Sequence, residues 1–199
     1  MSIDINSAWE ELKNRVQNCQ KCKLCENRHN TVFGEGPVEN CKVMIIGEGP
    51  GEEEDLSGRP FVGPAGQLLT KILEQGGGIP RNSVYIANIV KCRPPNNRNP
   101  AQEEMLACNE YIEAQLLLLR PEIVVAMGSI SAQWLLKSKQ GITKLRGQWL
   151  DWRGIKLFPM FHPSYLLRNA SRAKGSPKDL TWQDIKALKL KIDELDEKN

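Results

Sequence analysis

The stretch from Lys42 to Asp55, KVMIIGEGPGEEED, constrains the fold of this chain more than any other. Its apolar run, Val43 to Ile46, is typical of a central parallel strand that is covered on both faces. Glycine at every second position of the following turn lets the backbone turn sharply and approach a ligand closely. Because ligands of open α/β sheets bind outside the carboxyl ends of the strands, this turn is predicted to line a functional site.

The acids that follow the glycines restrict the ligand of this turn. The run from Glu52 to Asp55 would repel a phosphate from a helix N-terminus that otherwise attracts anions. The spacing of the glycines also fits neither a P-loop nor a dinucleotide-binding fingerprint. A nucleotide site is therefore disfavoured. The alternative is an ordinary strand-to-helix turn whose acids stabilise the helix dipole.

Strand and helix patterns alternate along the rest of the chain. Strands are predicted at 84–90, 123–127, 148–150 and 155–158, and helices at 7–16, 101–119, 128–137 and 177–195. This alternation predicts the α/β class, with a three-layer α/β/α sandwich around a central, mainly parallel four-stranded sheet. A length of 199 residues suits one domain, 1–199, better than two.

Six cysteines indicate metal binding rather than disulfides. The N-terminal residues contain no apolar core of a signal peptide, and no apolar run reaches the ~18 residues of a membrane span. We therefore expect a cytoplasmic protein that does not enter membranes and whose thiols stay reduced. Cys19, Cys22 and Cys25 recur every third residue, with Cys92 and Cys108 as candidate distant partners. Spacing alone leaves both zinc and an iron–sulfur cluster open.

Three further residues stand where a ligand could reach them. Phe61 lies in a loop between two prolines, where it can anchor the core or stack on a planar ligand. Asn88 interrupts an apolar strand, so its amide must bond to backbone or to a ligand if it is buried. His162, one of two histidines, follows the last predicted strand and opens a loop that carries Arg168. A structural histidine is the ordinary alternative.

The basic residues are concentrated in one segment. Between Lys144 and Lys178 there are eight lysines and arginines and one acid, so this segment carries +7 and the rest of the chain −4, within a total of +3. Such an asymmetry indicates a basic face for a polyanion, with an ordinary solvated surface as the alternative.

Four stretches together resemble the family 4 uracil-DNA glycosylases, the iron–sulfur branch of the uracil-DNA glycosylase superfamily. They are GEGPGEEED at 47–55, GRPFVGPAGQLL at 58–69, NIVKCRPPNNRNP at 88–100 and HPSYLLRN at 162–169. The resemblance covers nearly the whole chain. It implies a monofunctional DNA glycosylase that flips uracil out of DNA and hydrolyses its N-glycosidic bond, leaving an abasic site for base excision repair.

The resemblance also implies roles for individual residues. The implied catalytic residues are His162, which would stabilise the departing uracilate, and Glu48 and Glu54, which would serve the cationic sugar and the water, with Asp55 behind them. The implied uracil-binding residues are Glu48, Gly49, Pro50, Phe61, Asn88 and His162. The implied DNA-binding residues are Ser164, Leu167 and Arg168, with Leu166 or Leu167 as an apolar wedge. Other branches have aspartate where this chain has Gly49, so the water-activating residue does not carry over directly.

The implied cofactor is a four-iron, four-sulfur (4Fe-4S) cluster. Its ligands would be Cys19, Cys22, Cys92 and Cys108, leaving Cys25 and Cys41 outside the set. The cluster would tie the N-terminal segment to the core in a structural role. The implied partner is uracil-containing DNA, single- or double-stranded, bound by a monomer; no sliding-clamp or other repair partner is identified. The alternatives are a non-catalytic, metal-stabilised nucleic-acid binding protein and a relative that captures uracil covalently.

Overall fold

A five-stranded sheet forms the centre of the molecule. Its strands are β1 (Val43–Gly47), β2 (Tyr85–Asn88), β3 (Ile123–Met127), β4 (Leu150–Trp152) and β5 (Ile155–Met160). They lie side by side in the order β2-β1-β3-β5-β4. This computed structural model describes residues 4–197, so both ends of the predicted domain 1–199 lie outside the described residues.

Helices cover both faces of this sheet. They are α1 (Ile5–Gln17), α2 (Glu52–Ser57), α3 (Pro64–Lys71), α4 (Gln102–Leu119), α5 (Ser129–Leu136), α6 (Ile142–Leu145), α7 (Pro163–Arg168) and α8 (Pro177–Asp196). A π-helical turn, Ile72–Gly76, continues α3. Single 3-10 turns lie at Lys23–Cys25, Arg81–Ser83 and Pro95–Asn97. None of the helices within the described range combines the length and apolar character of a membrane span.

The three predicted layers are confirmed by the two apolar cores. Side chains of α1, α4 and α5 pack on one face of the sheet, where Met44 and Ile46 point. Side chains of α3, α7 and α8 pack on the other face, where Val43 and Ile45 point. β1 is therefore buried on both faces, as its continuous apolar run predicts.

The sheet has five strands where four were predicted. β1, β2, β3 and β5 pair in parallel, and β4 adds an antiparallel edge to β5. The hairpin that joins β4 to β5 was expected, but β4 begins at Leu150 rather than at Gln148. The reason is a two-residue turn at Arg153 and Gly154, whose φ angles of 55° and 80° allow pairing up to Trp152.

The topology brings four strand ends to one edge. The chain passes from β1 to β2 on one side, and then to β3 on the other side of β1. The carboxyl ends of parallel strands next to such a switch point form the ligand-binding crevice of open α/β sheets. Here this edge presents Gly47, Asn88, Gly128 and the segment that leads from Met160 to His162.

Candidate active site and cysteine site

Gly47, Phe61, Asn88 and His162 meet at this edge, and we call them the edge site. Gly47 is the register partner of Asn88. A Cβ at Gly47 would lie 2.3 Å from Oδ1 of Asn88 and 2.7 Å from Cζ of Phe61, so only glycine allows these two side chains their positions. The rings of Phe61 and His162 are 5.6 Å apart between centroids. Residues from four separate stretches of sequence therefore converge.

Asn88 carries a polar atom that the protein leaves unpaired. The residue is 1% exposed. Its Oδ1 is the one buried side-chain N or O atom without a hydrogen-bond partner among residues 4–197. An unpaired buried acceptor costs about 1–3 kcal/mol. Such a group is expected where a ligand supplies the missing donor.

Phe61 is held in an unusual conformation by its loop. Its φ is 53°, in the left-handed region that non-glycine residues rarely adopt. Gly66 in α3 packs directly against the Phe61 backbone, where a Cβ would lie 1.9 Å from the carbonyl oxygen. The Arg81 guanidinium donates to the carbonyl of Pro60 at 2.7 Å and to Thr70. The ring is thus placed by its surroundings rather than by local preference.

His162 is a neutral hydrogen-bond donor. It is the N-cap of α7, and its Nδ1 accepts from the backbone N–H of Ser164 at 3.2 Å and lies 2.8 Å from the Ser164 hydroxyl. Because Nδ1 accepts, the ring proton is on Nε2, which makes no hydrogen bond within the described residues. Burial, with a smaller contribution from the positive charge of Arg168, lowers the pKa of His162 to about 4. The imidazole therefore presents an Nε2–H without a positive charge.

Glu48 is the acid of the glycine-rich turn with an unengaged carboxylate. Its side chain forms no hydrogen bond or ion pair within residues 4–197, and it is partly exposed. Burial raises the pKa of the Glu48 carboxyl above its usual range. A carboxylate of raised pKa with solvent contact is suited to accept a proton from water.

Glu54 and Asp55 are engaged by the protein. Oε2 of Glu54 accepts the N–H of Gly51, and Oε1 accepts the N–H groups of Val62 and Gly63, each at 2.8 Å. Glu54 thereby ties the start of α2 to the loop that carries Phe61. The carboxylate of Asp55 accepts from the backbone N–H of His29 and pairs with its ring at 2.8 Å. Both acids hold loops in place.

Gly49 and Pro50 lie beside the edge site. A Cβ at Gly49 would lie 2.8 Å from Cγ2 of Val90, so the turn packs closely on the segment after β2. The N–H of Val90 donates to the carbonyl of Glu48 at 3.2 Å. Pro50 is buried. The glycines thus serve close packing of two loops as well as the sharp turn.

The two leucines of helix α7 differ in solvent exposure. Leu166 is 1% exposed and belongs to the core, whereas Leu167 is 48% exposed. Of the two wedge candidates, only Leu167 is therefore exposed to solvent. Arg168 is exposed at the end of the same helix, and Ser164 is tied to His162.

The four predicted ligand cysteines surround one cavity, which we call the cysteine site. Cys19, Cys22, Cys92 and Cys108 line it, between the end of α1, the segment after β2, and α4. Cys25 lines the same cavity. Cys41 lies apart, buried at the start of β1, where its thiol meets the carbonyl of Val43.

The cysteine site contains more thiols than a single four-coordinate metal ion needs. Within the described residues, no three His, Cys, Asp or Glu side chains converge closely enough to hold a single metal ion. On tetrahedral zinc, with Zn–S bonds of ~2.3 Å, four thiolates would lie within about 4 Å of one another. In a four-iron, four-sulfur cluster each cysteine thiolate instead binds its own iron.

Donors already face the sulfurs. A guanidinium nitrogen of Arg28 lies 3.3 Å from Sγ of Cys92, and the backbone N–H of Lys91 donates to Sγ of Cys108 at 3.3 Å. Burial raises the pKa of the Cys108 thiol to about 12, and the neighbouring Lys91 opposes this shift. These donors suit sulfur that carries negative charge, as metal ligands do.

Lys91 is a buried residue that the sequence analysis missed. Its ammonium donates to the backbone carbonyl of Asn88 at 3.0 Å and to Oε1 of Gln115 at 2.6 Å. The Gln115 amide in turn donates to Phe33 O and to the Tyr85 hydroxyl. Burial lowers the pKa of Lys91 to about 8. A lysine directly after the apolar run at 84–90 is the signal that could have indicated this network.

Comparison with known proteins agrees with this arrangement. The family model of the Uracil DNA glycosylase superfamily matches residues 33–186. A type-4 uracil-DNA glycosylase of Thermotoga maritima is 50% identical over 164 residues, which are 81% of this chain and 84% of that protein. Similar proteins of the same name occur in Sulfurisphaera tokodaii (43% identity, 83% of this chain, 78% of that protein) and Saccharolobus solfataricus (44%, 79% and 76%).

Proposed function

Because this chain belongs to the type-4 uracil-DNA glycosylases, within the uracil-DNA glycosylase superfamily, we propose that it removes uracil from DNA at the edge site. The product is an abasic site, the substrate of the later steps of base excision repair. The unpaired, buried Oδ1 of Asn88 carries this proposal most directly. The enzyme would act as a monomer inside the cell, where damaged DNA lies.

Asn88 recognises the base through hydrogen bonds. A flipped uracil offers a donor at N3–H and an acceptor at O4, which match the Oδ1 and the amide nitrogen of Asn88. Cytosine offers the reverse pattern, and it would leave the buried oxygen unpaired. Phe61, fixed by its loop, stacks on the base, while the backbone around Glu48, Gly49 and Pro50 closes one side of the site.

His162 acts on the departing base, and Glu48 acts on the sugar and the water. As the bond between C1′ of the sugar and N1 of uracil breaks, its electron pair leaves with the base. The Nε2–H of His162 donates to the developing negative charge at O2. Glu48 stabilises the cationic sugar and accepts a proton from the water whose oxygen bonds to C1′. Glu54, with both oxygens engaged, acts as a positioning residue for the Phe61 loop.

The exposed side of α7 meets the DNA. Leu167 enters the stack at the place that the flipped base leaves, because it projects into solvent from the helix that begins at His162. Arg168 contacts a backbone phosphate, and Ser164 orients His162 while it faces the same strand.

The cysteine site holds a 4Fe-4S cluster through Cys19, Cys22, Cys92 and Cys108. When bound, the cluster supplies cross-linking rather than reaction chemistry, because hydrolysis of a glycosidic bond needs no electron transfer. The four cysteines come from the end of α1, the segment after β2, and α4. Their shared ligation ties the N-terminal segment to the core.

One assay tests the proposal against both alternatives. The protein is incubated with an oligonucleotide that contains one uracil, and the product is treated with alkali and run on a denaturing gel, with cytosine as the matched control base. We expect strand cleavage at uracil alone. A heat-stable shifted band would indicate covalent capture instead, and an uncleaved, unshifted strand would indicate a binding protein.

A single variant tests the role of His162. His162→Ala removes the Nε2–H donor, and the loss of one such donor lowers kcat by about 10²–10³-fold in a measured protease case. Far-ultraviolet circular dichroism should show an unchanged fold. Turnover close to that of the wild type would refute the assigned role.

A further inference from the structure

A groove opens between α3, α7 and α8, outside the edge site. Its lining includes the apolar residues Ile72 and Leu166, the basic residues Lys71, Arg172 and Lys178, and the indole of Trp182. We call it the Trp182 groove. No part of the mechanism above uses it.

Trp182 forms a supported platform in this groove. The residue is 44% exposed although it lies on a long helix whose Ile185 and Leu188 are buried. One edge of the indole rests on the π-helical turn, since a Cβ at Gly76 would lie 3.0 Å from Cζ3 of Trp182. Within residues 4–197 the indole N–H makes no hydrogen bond. The ring is therefore fixed in place while much of its surface meets solvent.

The groove contains Arg172 and Lys178 of the basic segment. Outside the groove, Arg146, Arg153 and Lys156 form ion pairs with Asp184, Glu113 and Asp151. Within residues 4–197, by contrast, no ion pair engages Arg172 or Lys178, nor Lys71 from α3.

The acid of the groove, Asp179, is engaged with its own helix start. It accepts from the N–H of Gly175 and from the Gln183 amide. Three free cations against one engaged acid make the groove positive.

The groove begins next to the edge site. α7 starts at His162, and its buried Leu166 lines the groove one helical turn further along. The whole of α7 is six residues, or ~9 Å at 1.5 Å per residue. This distance equals about three stacked nucleotides at ~3.4 Å each. A DNA strand that runs along α7 from a base at the edge site would reach the groove.

We propose that the Trp182 groove binds the unpaired strand that flanks the target uracil. One base stacks on Trp182, and the neighbouring phosphates contact Lys71, Arg172 and Lys178. Bases in a duplex already stack on one another, so the platform accepts a base only from single-stranded or locally opened DNA. This inference rests on the proposed function, because it takes the edge site as the position of the uracil.

Variants of Trp182 test the stacking. Trp182→Ala should weaken binding of a single-stranded oligonucleotide and lower kcat/KM on single-stranded uracil substrate by about 5- to 100-fold. Trp182→Phe should keep most of both, because it retains a ring. On a fully paired duplex the effect of Trp182→Ala should be several-fold smaller. Leu190→Ala is the matched control, since Leu190 is an exposed apolar residue of the same helix outside the groove.

The outcomes separate the two proposals. If the wild type releases uracil but Trp182→Ala matches Leu190→Ala on single strands, the groove proposal fails and the proposed function stands. If the wild type releases no uracil, while binding of a thymine-containing single strand still depends on Trp182, the proposed function fails and the groove remains a single-strand site. Equal losses on single strand and duplex would also refute the groove proposal.

The salt dependence of binding tests the phosphate contacts. Lys71→Gln and Lys178→Gln should each reduce the slope of log Kd against log salt by ~0.7, the value for one phosphate contact on a single strand. Lys139 is an exposed lysine beyond the end of α5 that forms no ion pair within residues 4–197, so Lys139→Gln should leave the slope unchanged. An unchanged slope in both groove variants would refute the assigned contacts.

Discussion

The edge site and the cysteine site lie at the two ends of one short segment, residues 88–92, but they differ in whether their polar groups have hydrogen-bond partners. At the edge site Asn88 Oδ1 has no protein partner within the described residues, and neither does the Glu48 carboxylate in the adjoining turn. Around the cysteine site, sulfurs and side chains are bonded: Cys92 to Arg28, and Lys91 to Gln115.

This difference separates the groups proposed to recognise the ligand from the groups that stabilise the fold. Leaving a buried polar group unpaired costs about 1–3 kcal/mol, so the fold tolerates it only where a ligand returns the hydrogen bond. Groups that are fully hydrogen-bonded within the protein, such as Gln115, instead stabilise the ligand-free protein. The same criterion separates two acids of the stretch from Gly47 to Asp55, because Glu48 has no partner within residues 4–197 and Glu54 accepts three N–H donors.

The largest expected effect is at the cysteine site. Cys108→Ala should abolish the visible absorption band of protein purified without oxygen and lower the free energy of unfolding by several kcal/mol, since structural metal sites contribute ~10 kcal/mol or more. Cys41→Ala is the control, because Cys41 is equally buried but lies outside the site. A colourless, zinc-loaded wild type would contradict the cluster. Loss of the band in Cys25→Ala but not in Cys108→Ala would reassign a ligand.

The next comparison sets Glu48 against Glu54. Glu48→Gln should reduce kcat by about 10²–10⁴-fold, the usual contribution of a general base, with unchanged urea unfolding. Glu54→Ala should lower the free energy of unfolding by about 3 kcal/mol, because three backbone donors lose a charged acceptor. If the two variants showed the reverse pattern, Glu54 would be the acid that acts.

A third comparison sets Asn88 against Gln115. Asn88→Ala should lower kcat/KM on uracil substrate by about 10²–10³-fold without the stability loss that follows when a hydrogen bond is broken. Gln115→Ala, which breaks three hydrogen bonds of the buried network, should lower the free energy of unfolding by about 2–4 kcal/mol. Equal stability losses would show that Asn88 is paired in solution.

The smallest expected effect concerns the pH dependence of His162. Its pKa of about 4 keeps the ring neutral above pH 5, so kcat/KM should show no inflection near pH 6.5. The acid limb of the profile should belong to Glu48, whose pKa is raised by burial, and should vanish in Glu48→Gln.

The same pKa has a consequence for stability. Between pH 4 and 6.5 the unfolded chain binds a proton at His162 and the folded one does not, so the free energy of unfolding should rise with pH across this window. Urea unfolding of His162→Gln should show a smaller rise. An inflection in wild-type kcat/KM near pH 6.5 would mean that the catalytic form is the imidazolium.

Local patterns predicted most of the fold. The structure confirms three features that depend on neighbouring residues. They are the apolar run of β1, the amphipathic spacing of Trp9, Leu12 and Val16 in α1, and the final helix. β4 was misplaced by two residues because the turn at Arg153 and Gly154 depends on two positive φ angles, which the apolar pattern does not report.

The site was only partly predictable from local sequence. Asn88 and His162 follow apolar strand patterns, so their position at the edge could be inferred. Which acid is engaged could not, because the partners of Glu54 lie eight and nine residues away in another loop. The Trp182 groove depends on contacts between α3, α7 and α8, which lie far apart in sequence.

The segment from Asn88 to Cys92 connects the edge site to the cysteine site and also sets the distance between them. An extended chain advances ~3.3 Å per residue, and a shift of one residue turns side chains to the opposite face. One inserted residue between the two would therefore misdirect either the amide proposed to read uracil or the cysteine proposed as a cluster ligand.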